Sequence, residues 1–356
     1  MESQAEGRRV ALTPNYSVSR IIVGGWQLSR GHGGGVPAGE NPRRFLSDLA
    51  DRGFTTFDCA DIYTGVEEML GDFLRHYRGS HSGTPIQIHT KFVPDLDVLP
   101  TIDRSYVERI IHRSLSRRGV EALDLVQFHW WDFRVPGYVE VVGWLGDLKA
   151  QGKIRTVGVT NFDEVHLTEL VESGAQILSN QVQYSVLDRR PEKALVPYCL
   201  EQGISLLCYG ALAGGFLTDE FLRIGAGTGE APERPVNRSL IKYRLIIEEM
   251  GGWDRFLAVL AALNKVAARA DISLPAAALR YVLGRSGVAA TITGIDTLAH
   301  ADELLEALDQ TLEEGVWEPL AAVLAETPLP PGPVYGLERV MDGPHGAIMR
   351  YNLNEE

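Results

Sequence analysis

Short apolar, β-branched runs recur along this chain, and most are followed by stretches in which apolar residues return every three or four positions. The runs cover residues 20–24, 54–58, 86–91, 123–129, 156–160, 177–183, 205–209 and 289–293. Continuous apolar character, rather than alternation, predicts parallel strands buried on both faces. Between them, Phe45, Leu46 and Leu49 follow a potential cap at Asn41 and stop at Gly53, while Val66, Met69, Leu70, Phe73 and Leu74 keep helical spacing. Val107, Ile110, Ile111 and Leu115 repeat the pattern, as do residues 138–150, 192–202 and 301–312. Eight strands, each followed by a helix or by a loop and a helix, predict the α/β class and a single-domain (β/α)8 TIM barrel with a long loop after strand 7 and a C-terminal tail. The expected division is 1–18 as a leader or short hairpin, 19–315 as the barrel and 316–356 as the tail.

Two stretches interrupt the rhythm. Residues 216–253, rich in Gly, Pro, Arg and Glu, read as a structureless excursion on the face where barrels keep their active sites. The run Arg30-Gly31-His32-Gly33-Gly34-Gly35 reads as a mobile loop rather than a phosphate cradle, because no Gly-x-Gly-x-x-Gly turn opens into a helix and no Walker lysine follows. Beyond Leu312, Pro328-Leu329-Pro330-Pro331-Gly332-Pro333 is an extended spacer before a tail carrying Tyr335, Met341, His345, Met349 and Tyr351. That tail covers the pocket, docks on a neighbouring subunit or stays flexible; all three are open from the sequence.

Composition narrows the setting. With 356 residues, 45% hydrophobic, and a mean hydropathy of -0.06, the chain suits a soluble protein with a large core. A formal net charge of -13 disfavours nucleic acid and anionic membrane as partners. No apolar run approaches a membrane span, and residues 1–9 lack the order of a signal peptide. Cys59, Cys199 and Cys208 are three in number with no CxxC or zinc-type spacing, which predicts a reducing, cytoplasmic location, and the scattered His76, His81 and His89 form no ligand set of recognised spacing, so no metal site is expected.

The chemistry collects where the strands end. Asp58, Lys91, His129, Asn161, Gln181 and Tyr209 stand at or near the ends of successive apolar runs, and a parallel barrel brings such ends to one rim. The stretches Phe57-Asp58-Cys59-Ala60-Asp61-Ile62-Tyr63, Thr90-Lys91-Phe92, Leu125-Val126-Gln127-Phe128-His129-Trp130, residues 152–162 and Asn180-Gln181-Val182-Gln183-Tyr184-Ser185 carry a further signal. In this order and spacing the chain resembles the aldo-keto reductase superfamily from about Ser19 to Leu312.

The resemblance implies a catalytic tetrad of Asp58, Tyr63, Lys91 and His129. A phenol titrates near pH ~10, and a neighbouring ammonium lowers that value, so Lys91 would tune Tyr63 as proton donor while Asp58 keeps Lys91 charged. His129 would orient a carbonyl. The resemblance also places Asn161 and Gln181 on a nicotinamide carboxamide and Tyr209 against the nicotinamide ring; Gly210, Leu212, Gly214, Arg238, Gly294 and Asp296 are the candidates for the rest of the cofactor. Trp26 and Trp130 would wall the substrate pocket, while Trp131 either shares that wall or packs against a loop. Cys59 reads as a small packed residue.

Departures fall at the adenosine end. Asp296 stands where the family often has arginine, and Leu304 replaces an asparagine. An acidic group repels a 2′-phosphate and suits a ribose hydroxyl; NADP(H) is favoured from the resemblance, with NAD(H) open because of Asp296. Backbone amides at residues 294–297, or Arg234, Arg238 or Lys242, would serve as replacement phosphate contacts, unless these basic residues only solvate their loop. The expected activity is NAD(P)H-dependent reduction of an aldehyde or ketone to an alcohol, on a small-molecule substrate, in a chain that permits a homo-oligomer. Its alternatives are a redox-neutral isomerase or lyase on a natural-product or sugar-like substrate, and a non-catalytic nucleotide-binding regulatory subunit.

Overall fold

The computed structural model describes residues 7–30, 40–81, 85–226 and 238–354. Strands β1 (Arg9–Thr13) and β2 (Tyr16–Ser19) pair as an antiparallel hairpin. The next eight are β3 (Ile21–Gly24), β4 (Thr56–Asp58), β5 (Gln87–Phe92), β6 (Leu123–Phe128), β7 (Ile154–Thr160), β8 (Ser179–Gln183), β9 (Ser205–Tyr209) and β10 (Val288–Thr293). They close into a parallel barrel in the order β10-β3-β4-β5-β6-β7-β8-β9, so all eight predicted strands belong to it.

The hairpin covers one end of the barrel: Val10, Leu12 and Tyr16 pack on a floor of Ile22, Leu125, Leu207 and Ala290, and the Tyr16 hydroxyl lies 3.0 Å from Nε2 of His89. A larger apolar cluster fills the layer between barrel and helices.

Helices α1 (Pro42–Asp51), α2 (Val66–Ser80), α3 (Arg104–Arg118), α4 (Tyr138–Ala150) and α5 (Glu164–Glu172) follow β3 to β7 in turn. Asn41 caps α1 by accepting from the amides of Arg43 and Arg44, and Asp163 caps α5. After β8, Pro191 falls in a 3-10 turn and α6 runs only over Leu195–Gln202, shorter than the pattern suggested.

The excursion after β9 differs from expectation. It holds α7 (Asp219–Ala226) and α8 (Arg238–Glu249); residues 227–237, including Arg234, and the glycine-rich residues 31–35 lie outside the described residues. Helix α8 forms because Tyr243, Ile246, Ile247 and, just beyond it, Met250 share one buried face, a spacing masked by the polar, Gly- and Pro-rich composition around it. Helices α9 (Gly252–Ala270) and α10 (Leu274–Leu283) return the chain to β10. Helix α11 (Leu298–Asp309) starts three residues before the predicted 301 and is capped by Thr297, and α12 (Glu318–Ala325) precedes the tail.

The tail is pinned at its far end. The Asp95 carboxylate accepts from the amides of Leu353 and Asn354 at 2.8 and 3.0 Å, and Asn354 Nδ2 donates to the Val93 carbonyl at 2.6 Å. Residues 326–354 therefore close back on the loop after β5. No helix among the described residues is long and apolar enough to cross a membrane.

Candidate active site

The rim at the C-terminal ends of the barrel strands is built around Asp58. Its Oδ2 lies 2.5 Å from Lys91 Nζ, while its Oδ1 accepts from Gln127 Nε2 at 2.9 Å and from Gln181 Nε2 at 2.7 Å. Three neighbouring strands and β8 thus converge on one buried carboxylate. The amide of Gly25 donates to the Asp58 carbonyl at 2.7 Å, and a Cβ there would lie 2.7 Å from that oxygen, so the close approach needs glycine. Asp61 ties the adjoining loop to β5 through the Val93 amide at 3.1 Å.

Lys91 spends a second N–H on the Cys59 carbonyl at 2.9 Å, and its Nζ lies 5.1 Å from the centre of the Tyr63 ring. An ammonium carries three donors, so one remains for the phenol side. Asp58 holds the Lys91 ammonium above its ordinary range despite burial. For Tyr63, burial outweighs the pull of Lys91 and raises the phenol, where a lowered value was expected. The shift keeps the phenol protonated, as a proton donor must be. Burial also pushes the Cys59 thiol up to about 12, an inert packed group.

His129 follows β6. Burial, aided by the nearby charge of Arg339, lowers its imidazole to about 3, so the ring is neutral at physiological pH. Nδ1 lies 3.3 Å from the Thr160 carbonyl oxygen, a long contact that ties the single proton to that nitrogen only weakly. Nε2 is buried with no partner among the described residues.

On the other side, Tyr209 donates its phenol proton to Asn161 Oδ1 at 2.8 Å. Asn161 holds a left-handed backbone (φ 62), a conformation asparagine tolerates better than most residues. Asn161 Nδ2 and Gln181 Oε1 make no hydrogen bond among the described residues. One donor and one acceptor are left over beside a tyrosine face, and this donor set fits a carboxamide-bearing aromatic ring such as nicotinamide.

A model of the Aldo/keto reductase family matches residues 20–325. The chain belongs to the aldo/keto reductase family. Members of this family are oxidoreductases that act on carbonyl and alcohol groups with nicotinamide cofactors. The chain is 26% identical over 329 residues to the NADH-specific methylglyoxal reductase of Escherichia coli, covering 85% of this chain and 93% of that one. It is 28% identical over 297 residues to flagellar radial spoke protein 5 of Chlamydomonas reinhardtii, covering 66% of this chain and 55% of that protein, so it spans about half of that relative. A solved glycerol dehydrogenase from Gluconobacter oxydans shares the fold with a TM-score of 0.73 at 23% identity, covering 92% of this chain and 98% of that one.

Among the residues expected to serve an aldo/keto reductase, the structure gathers Asp58, Tyr63, Lys91, His129, Asn161, Gln181 and Tyr209 at one rim. Trp26 packs edge-on against Tyr63 at 5.0 Å. Trp130 does not face His129. It is fully buried, donates to the Val135 carbonyl at 3.0 Å and packs beside Phe128 and Tyr138. Trp131 lies inward instead, edge-on to His129 at 4.4 Å.

The glycine turn after β9 is covered rather than open. Gly210 and Gly214 both have left-handed backbones, and a Cβ on either would strike Tyr243 of α8 at 2.2 and 2.6 Å. Leu212 is partly buried in the same turn. Lys242 lies beside Tyr209, with Nζ 5.0 Å from the Tyr209 ring centre and 3.7 Å from Glu338; the Arg238 side chain lies outside what the structure describes. Gly294 is covered by the Gln27 side chain. Asp296 is exposed at the start of α11, paired with His300 at 3.0 Å, and with Gln27, Ile295 and residues of β3 and α1 it lines a cavity of about 210 Å³.

Gln127, Tyr243, Glu338 and Arg339 went unassigned from sequence. For Gln127 a signal existed, a lone amide inside the apolar run Leu125-Val126-Gln127-Phe128. The tail residues had none. Glu338 is fully buried against Arg190 at 3.5 Å and Lys242 at 3.7 Å. Tyr335, itself left-handed (φ 57), sets its ring 5.4 Å from His129.

Proposed function

We propose that this chain reduces an aldehyde or ketone to the alcohol, and runs the reverse oxidation, with Tyr63 as general acid. The observation that carries this reading is the line Asp58–Lys91–Tyr63, buried at Asp58 and Lys91 and partly exposed at Tyr63, in which a paired ammonium stands beside a protonated phenol. Asn161, Gln181 and Tyr209 would hold a nicotinamide, which when bound would supply the hydride in reduction and accept it in oxidation. Tyr63 gives its proton to the carbonyl oxygen as negative charge builds there, and Lys91 stabilises the phenolate that results. Solvent returns a proton to Tyr63 after product leaves. Asp58 keeps Lys91 charged, and Gln127 and Gln181 hold the carboxylate in place. Neutral His129 presents Nε2 to the substrate oxygen and aligns the carbonyl. Trp26 and Trp131 wall the pocket, with the tail as its cover.

For the cofactor's adenosine end we take NADH over NADPH. Exposed Asp296 would repel a 2′-phosphate held at the start of α11, and Lys242, the one replacement cation whose side chain is described, is turned toward Glu338. Tyr243 lies on the glycine turn after β9. The test is a panel of aldehydes and ketones with each reduced nucleotide, following loss of its absorbance together with the alcohol formed. Stoichiometric alcohol supports the reading; nucleotide binding with no carbonyl reduced and no alcohol oxidised contradicts it.

A further inference from the structure

We infer that Arg339 is an oxyanion receptor and that the carbonyl substrate carries a carboxylate or comparable anion close to its reacting group. This rests on the reductase reading above. The other cations of the rim have carboxylate partners: Lys91 with Asp58 at 2.5 Å, Arg190 with Asp188 at 2.7 Å, and Lys242 with Glu338 at 3.7 Å. Among the described residues Arg339 pairs with no carboxylate within 4.0 Å. Its Nη2 donates to the carbonyls of Trp130 at 3.1 Å and Asn161 at 2.9 Å, whereas Nε and Nη1 are buried without a partner.

A guanidinium presents five N–H groups in a fixed fork; Nη2 spends both of its own on the two carbonyls, and the three carried by Nε and Nη1 remain as charge-assisted donors to an anion. The fork is held in place. Its Cζ lies 4.1 Å from the centre of the Phe133 ring and 5.2 Å from that of Tyr335, and the preceding residue, Glu338, is anchored by Arg190 and Lys242. Leaving charged, buried donors unpaired is costly, and a ligand anion removes that cost.

The place of Arg339 decides which anion. Trp130 and Asn161 directly follow His129 and Thr160, the pair joined by the His129 Nδ1 contact, so the guanidinium sits at the β6–β7 side of the rim beside the substrate-orienting histidine. In the closed order β10 stands opposite β6, and the turns after β9 and β10 are where cofactor phosphates belong. Substrate carboxylate and cofactor phosphate share the oxyanion chemistry, and position favours the substrate.

The experiment compares glyoxylate, phenylglyoxylate and succinic semialdehyde with their neutral amides, in the wild-type chain, Arg339→Met and Arg339→Lys. A charge-assisted pair predicts a kcat/KM advantage of about 10- to 100-fold for the best carboxylate over its amide. Arg339→Met brings that ratio close to one, and Arg339→Lys keeps part of it. Because either variant can fail to fold, benzoate and benzamide are also titrated into the wild-type chain, following its tryptophan fluorescence, and tested as inhibitors at saturating nucleotide. The inference expects benzoate to bind more tightly than benzamide and to compete with the carbonyl substrate. Benzoate that competes instead with the nucleotide assigns Arg339 to the cofactor and overturns it. Neutral carbonyls reduced as well as anionic ones overturn this inference and leave the reductase reading standing, whereas benzoate binding without any carbonyl turnover defeats the reductase reading alone.

Discussion

Tyr209 donates its phenol proton to Oδ1 of Asn161 across 2.8 Å, so the ring that would lie against nicotinamide is fixed by the amide that would hold its carboxamide. β9 and β7 are thereby coupled above the barrel. Tyr209→Phe keeps the aromatic face and removes the bond, and the loss of about 1 kcal/mol should raise the dissociation constant for reduced nucleotide about fivefold. Tyr209→Ala should raise it further. Titrations of tryptophan fluorescence measure both.

The adenosine end gives a prediction of opposite sign for the two cofactors. Replacing exposed Asp296 by Arg removes a repulsive charge and adds a phosphate partner, so Asp296→Arg should shift the ratio of NADPH to NADH affinity toward NADPH by at least about tenfold. An unchanged ratio would place the 2′-hydroxyl away from α11.

Acid stability follows from two neutral, buried imidazoles. Burial lowers His89 to about 4 and His129 to about 3, against about 6.5 in an unfolded chain. Below pH ~6.5 the unfolded state therefore binds protons that the folded state refuses, and stability falls with pH. Each histidine should remove about 1.4 kcal/mol per pH unit until its folded value is reached. Denaturant melts of His89→Gln, compared with the parent between pH 7 and 4, should show a shallower decline. A decline of equal slope would mean that His89 is charged in the folded chain.

The tail latch predicts altered local dynamics. Glu338 is buried between Arg190 and Lys242, and Glu338→Gln leaves those cations without its charge. Removing one partner of such a cluster costs about 3–5 kcal/mol. Amide exchange over residues 333–345 should accelerate by at least about tenfold, while amides of β5 and β6 retain their protection.

The barrel was legible because strands buried on both faces leave continuous apolar runs, and the polar residues ending those runs have nowhere to go but the rim. Asp58, Lys91 and His129 stand out for that reason. Local pattern is silent where contacts are made over long separations. Nothing around Arg339 announces that it reaches the carbonyls of Trp130 and Asn161, and nothing in the run Trp130-Trp131 says which indole meets His129. Helix α8 was hidden for a different reason. Its apolar face is narrow, and the Arg-, Gly- and Pro-rich residues before it mark a loop more strongly than Tyr243, Ile246 and Ile247 mark a helix.

The central claim, that Tyr63 transfers the proton, is tested most directly by single-turnover oxidation of reduced nucleotide with a reducible carbonyl, comparing the wild-type chain with Tyr63→Phe. The substitution removes only the phenolic oxygen, so nucleotide affinity should hold while the rate of hydride loss falls by about 10²- to 10⁴-fold, the span ascribed to general acid catalysis. A rate within a factor of about three of wild type, at unchanged nucleotide affinity, would contradict the assignment and move the proton donor to His129.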